Sequence, residues 1–354
     1  MFEIKEGMIL MESPINFILH IGAPKTGTSS IQETLRTNKK VLSEQNIKYL
    51  GLLLEEAYEK KYKWQNQSML FEFNQPDNIN IKKNELYDIL SSTIKEANKK
   101  QVTTLILSNE SFFMKRDVVF PVLKELESEN KINLKVILFV RDYIKWSKSA
   151  YLQWGIKHKI QLGKVENYDS WKGQKVIYFY KEISEIQNKY AISLIVKNIE
   201  SINDIVDSFL NICQIDINNI KKARLNDTPS NEEMFLRALY NNKFNEILLP
   251  SFFEKNIKKY INMDEDISSY MNNLMPSKVS LENIQELTKE DNEKLNDLLV
   301  AQGEEVISPQ KILEQNMEIN TSKILRGLAD LVLSQSIKIN KLEEDMKNLK
   351  DIQQ

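Results

Sequence analysis

The sequence predicts an α/β fold: a mainly parallel sheet flanked by helices, followed by an all-helical C-terminal region. Three observations predict it. Residues 15–32 read as an apolar run, a glycine-bearing polar loop and then an amphipathic segment. Two more apolar runs, at 102–107 and 134–140, are each followed by apolar residues at helical spacing. Beyond about residue 226 only helical periodicity remains.

Taken in order, residues 1–14 read as a short tail, with Pro14 just ahead of the first strand. A helix at about 29–38 follows the loop, and a second short one at 41–46 ends near Tyr49-Leu50-Gly51. Residues 52–100 are polar and helical in pattern, with Leu86, Ile89, Leu90 and Ile94 on one face. Trp64 within them reads as packing. The run 102–107 is a strand that ends in Ser108-Asn109-Glu110, and 118–127 is a helix. The run 134–140 is apolar on both faces, as expected inside a parallel sheet. It ends at Arg141, and 142–158 reads as a helix. A helix at 176–190, a strand at 192–196 and a helix at 202–212 complete the alternation, which implies right-handed crossovers.

Asn226-Asp227-Thr228-Pro229-Ser230 signals a turn and a helix start, and 281–300 is amphipathic. From Leu325 the spacing of Leu328, Val332, Gln335, Ile339, Leu342, Met346 and Leu349 alternates threes and fours. This three-heptad seam fits a dimer contact or a partner helix through residues 325–352, and equally a helix docked on its own domain. The expected division is a main domain over 1–306 and a helical tail over 307–354.

Charge is close to balanced, with 48 basic and 50 acidic residues in 354. Nucleic-acid binding is therefore not expected, because such domains carry a basic excess. The single cysteine, Cys213, excludes an intrachain disulfide framework and a multi-cysteine zinc site, and reads as a buried thiol. No spacing of His, Asp or Glu suggests a metal. With neither a signal-peptide pattern nor an apolar run of transmembrane length, the chain reads as a cytoplasmic protein.

The loop Gly22-Ala23-Pro24-Lys25-Thr26-Gly27-Thr28-Ser29 carries the chemistry. Successive backbone amides in such a turn converge on one point, and the helix behind it adds its positive end, so the favoured occupant is an anion. Lys25 and the hydroxyls of Thr26, Thr28 and Ser29 add charge and donors. The Walker spacing G-x-x-x-x-G-K-[ST] is not met, since Thr28 stands at the lysine position and the lysine lies at 25. The second constellation is Arg141, at the carboxyl end of an apolar strand, with Ser149 eight residues on. Ligands of open parallel sheets gather at that edge, where an arginine can grip a phosphate through two parallel bonds. Of the two histidines, His20 reads as a buried hydrogen-bonded imidazole, and His158 either lines a cleft or faces water.

Pro-Lys-Thr-Gly-Thr after the first strand, with Arg-x7-Ser after a later one, resembles the donor site of sulfotransferases that use 3′-phosphoadenosine-5′-phosphosulfate (PAPS). The likeness spans about residues 15–305 and is nearer the glycan and bacterial branches. Where the cytosolic enzymes often carry a tryptophan just past the loop, this chain has Ser30. The resemblance implies a P-loop-type fold and transfer of a sulfuryl group from PAPS to a hydroxyl or amine, with no metal required. Its implied acceptor is a bacterial carbohydrate or cell-surface glycan precursor. It assigns Gly22, Pro24, Lys25, Thr26, Gly27, Thr28 and Ser29 to the 5′ end of the donor, and Arg141 with Ser149 to the 3′-phosphate. Lys25 would stabilise charge on the leaving oxygen. Glu110 falls where the cytosolic enzymes carry their catalytic histidine and is the candidate base, although Ser108-Asn109-Glu110 equally fits a helix cap. Residues 52–100 and 155–175 are where an acceptor site would fit. Two alternatives stand beside this: a P-loop kinase or NTPase, and a non-catalytic module that uses its terminal helix for assembly.

Overall fold

A computed structural model describes residues 13–69, 73, 78–113, 115–223, 231–242, 244–250, 253, 267–312 and 319–352. The turn expected at Asn226–Ser230 and nearly all of the N-terminal tail lie outside these residues. Among these residues five strands form one all-parallel sheet: β1 (Ile15–His20), β2 (Ile47–Tyr49), β3 (Thr104–Ser108), β4 (Ile132–Val140) and β5 (Leu194–Asn198). Their order across the sheet is β2-β3-β1-β4-β5, so β1 lies at the centre between β3 and β4. Phe17 and Leu19 on one face of β1 and Ile18 on the other are all buried, as a strand covered by helices on both faces requires.

The edge strand β2 was not expected. Only three residues long, it follows a helix at Lys39–Glu44 and pairs in parallel with β3 from Ile47 against Thr104. Ile47 and Tyr49 are buried while Lys48 is half-buried, a period of two too short to stand out in the sequence. In 52–100 the long described helix is Ile79–Lys99, a short 3₁₀ turn stands at Gln67–Met69, and most of 51–66 is in turns and bends. Trp64 stacks on Tyr62, meets Phe73 at 4.8 Å and gives its ring N–H to Glu85.

The chain folds into two compact units. The first comprises residues up to Asp142, Tyr178–Leu225 and Thr288–Pro309, and holds the whole sheet. Its helix Ile205–Ile212 is capped by Asp204, whose carboxylate accepts from the amides of Val206 and Asp207. The helix Thr28–Thr37 and Ile205–Ile212 share a core with Ile18, Ile106 and Phe139. Cys213 lies in it, and burial pushes its thiol pKa up. At the outer edge of β5 the side chain of Gln302 accepts from the amide of Val196 at 2.9 Å and donates to the carbonyl of Leu194 at 3.1 Å.

The second unit comprises Tyr143–Ile177, Asn226–Leu287 and the residues from Gln310 on; the division expected from sequence, at 306/307, instead cut the chain once. Its described secondary structure is helical: Tyr143–Ala150, a wider π-turn at Tyr151–Lys157, Asn231–Asn241, Ile267–Leu274, the start of Lys278–Ala301, and Thr321–Ile352. The predicted helix over 142–158 therefore changes winding at Tyr151. Gly155 makes room there, because a Cβ on it would lie 2.6 Å from the Tyr151 ring. Tyr151, Tyr168, Trp171, Phe235 and Met271 form the core of this unit. Lys159 is fully buried and donates to the carbonyls of Phe244 and Glu246. Among the described residues no helix is long and apolar enough to cross a membrane.

Candidate functional site

The loop after β1 is held by close packing rather than by side-chain caps. Gly27 has φ 82° and precedes the helix Thr28–Thr37, whose N-terminus has no side-chain cap. A Cβ on Gly27 would press on Ile205 at 2.9 Å. A Cβ on Gly22 would lie 2.1 Å from the Thr28 methyl, so that position needs glycine for space alone. Lys25 has φ 70°, a left-handed conformation that costs a non-glycine residue roughly 1–3 kcal/mol. The carbonyl of Lys25 is anchored at this turn by Arg141, whose Nη1 donates to it at 2.8 Å.

That bond joins Arg141, the first residue of the second motif, to the Lys25 loop at the carboxyl ends of the neighbouring strands β1 and β4. Arg141 keeps 21% of its side-chain surface, and its Nε is buried without a hydrogen-bond partner. Glu200 lies 3.8 Å from Nε as a counter-charge. Desolvation lowers the pKa of Arg141, with Glu200 and Asp142 opposing. A guanidinium buried this far with so little compensation favours an added anion.

The hydroxyls divide. Thr26 is buried and donates to the Ala23 carbonyl at 2.6 Å, so its side chain is spent inside the loop and its backbone amide remains as the donor. Thr28 donates to Glu110 Oε2, also at 2.6 Å. Ser29 and Pro24 are half-buried on the loop. Glu110 opens the short 3₁₀ turn Glu110–Phe113 after β3. Its neighbour Asn109 caps that turn, with Oδ1 accepting from the amide and hydroxyl of Ser111. Glu110 is thereby left to face Thr28. Ser149 lies half-buried in the helix Tyr143–Ala150, which belongs to the second unit. His158 is half-buried at the end of the π-turn in that unit.

No family model and no curated protein sequence matches this chain. The site therefore stands on its own geometry.

Two residues of the site were missed in the sequence. Glu200 sits in the 3₁₀ turn Ile199–Ser201 directly after β5, and its place just past an apolar strand was the available signal. Ser108 forms a 2.8 Å hydrogen bond with His20 Nδ1. His20 is fully buried, in edge contact with Phe139 and packed by Phe209. Burial lowers its pKa to about 3, so the imidazole beneath the loop is neutral at physiological pH. In the unfolded chain it titrates near 6.5. The unfolded state therefore holds more protons between about pH 6.5 and about 3, and stability falls as pH drops through that window. The expected contribution is about 1.4 kcal/mol per pH unit. Urea midpoints of wild type and His20→Gln at pH 7 and pH 4 check it: the variant should lose less stability on acidification.

Among the described residues no cluster of three or more His, Cys, Asp or Glu side chains is placed to hold a metal ion.

Proposed function

We propose that the Lys25 loop and Arg141 form the donor site of a PAPS-dependent sulfotransferase with a P-loop-type fold. The observation that carries this reading is the bond from Arg141 to the Lys25 carbonyl, which joins two anion-seeking elements on adjacent strands. The loop amides from Thr26 to Ser29 and the uncapped helix start bind the 5′-phosphate. Arg141, whose buried Nε has no hydrogen-bond partner, meets the 3′-phosphate. PAPS supplies the activated sulfuryl group. Lys25 meets the charge that builds on the leaving bridging oxygen. Glu110 takes the proton of the attacking hydroxyl or amine, and its bond from Thr28 fixes the carboxylate beside the loop. The acceptor that fits the family likeness is a carbohydrate or glycan precursor.

A second reading, a P-loop kinase or NTPase, is favoured by one observation: a carboxylate, Glu110, beside the start of the loop helix. Thermal shift separates the two, because a ligand that binds only the folded state raises the midpoint. Adenosine 3′,5′-bisphosphate should raise it and ATP with Mg²⁺ should not. The reverse result overturns the sulfotransferase reading. Donor binding without transfer to any of a broad panel of labelled acceptors favours the non-catalytic module.

A further inference from the structure

The helix Thr321–Ile352 has 32 residues, about 48 Å at 1.5 Å each. Its start packs on its own unit: Ile324 is buried and Leu328 packs against the core around Met234 and Phe235. Further along, Val332 is 52% exposed, Ile339 50%, Leu342 62% and Met346 58%. These residues are the seam predicted from the spacing. So much apolar surface on one face of a solvated helix marks an interaction surface.

We infer that this face is a parallel, in-register two-stranded coiled coil with a second copy of the same chain. Three features select that occupant. First, the a positions hold Val332, Ile339 and Met346 and the d positions hold Gln335 and Leu342. β-Branched residues at a with leucine at d favour two parallel strands. Second, Gln335 fixes orientation. In a parallel pair d meets d′, so its amide faces the identical amide and the two hydrogen-bond each other. In any antiparallel register d meets a′, and Gln335 would be set against Val332, Ile339 or Met346 with its amide unsatisfied. Third, the flanking charges match. Lys338 at g faces Glu343 at e′ of the next heptad, and two-fold symmetry makes the pair twice. Both side chains are exposed in the single chain.

The surface is independent of the donor site, so either proposal can fail without the other. Light scattering on the eluting full-length protein at tens of micromolar should give twice the 41.4 kDa chain mass. Lys338→Glu sets like charges across both flanks and should weaken the dimer about tenfold. The charge swap Lys338→Glu with Glu343→Lys should restore it. Ile339→Cys, oxidised with glutathione disulfide, should give a covalent dimer because 339 meets 339′; wild type, whose Cys213 is buried, should not. A monomeric mass overturns the inference. A dimer unaffected by Lys338→Glu, or one in which Ile339→Cys fails to cross-link, overturns the parallel arrangement.

Discussion

Lys25→Ala is expected to lower sulfuryl transfer by about 10²–10³-fold while changing the affinity for adenosine 3′,5′-bisphosphate far less. The asymmetry follows from the role proposed. The loop amides and Arg141 hold the product whether or not the ammonium is present, whereas the charge on the leaving oxygen exists only as the bond breaks. The left-handed turn at Lys25 adds a complication that the experiment can remove. Alanine keeps the strain of φ 70°, while glycine relieves it. Lys25→Gly should therefore be the more stable of the two variants and just as slow. Rates compared with product dissociation constants decide the matter: equal losses in both would assign Lys25 to binding alone.

Arg141→Ala is expected to weaken adenosine 3′,5′-bisphosphate by about 2–4 kcal/mol, a loss typical of a desolvated charge pair. A second effect should accompany it. The carbonyl of Lys25 loses its donor, so the loop loses the tie that holds its unfavourable turn in place. Arg141→Lys keeps the charge but presents no planar fork, and one ammonium cannot serve the carbonyl and a phosphate in the same geometry. It should fall closer to alanine than to wild type. Calorimetric titration gives the affinities, and an unchanged dissociation constant in Arg141→Ala would remove Arg141 from the donor site.

The central strands were legible because each is a buried apolar run with β-branched residues, which a parallel sheet requires on both faces. β1 runs from 15 to 20 and β4 from 132 to 140, close to the runs read in the sequence. β2 was not legible, since three residues show too little alternation to separate from a helix end. In the candidate site the residue types were visible but not their orientations. Thr26 carries the hydroxyl that a phosphate would use, yet turns it inward to Ala23. Nor does the sequence reveal a left-handed backbone at a lysine, because that conformation is imposed by tertiary contacts. Glu110 offered two roles in sequence. Its neighbour Asn109 does the capping, which frees the carboxylate for Thr28.

The way Gln302 meets β5 has a bearing on how this protein can be dissected. Its carboxamide offers one acceptor and one donor at the spacing of a peptide group, and so imitates the strand that would otherwise lie there. A fragment ending before residue 302 keeps the five described strands but bares the rim of β5. Bare rims recruit further chains, so such a truncation invites polymerisation even though its sheet is whole.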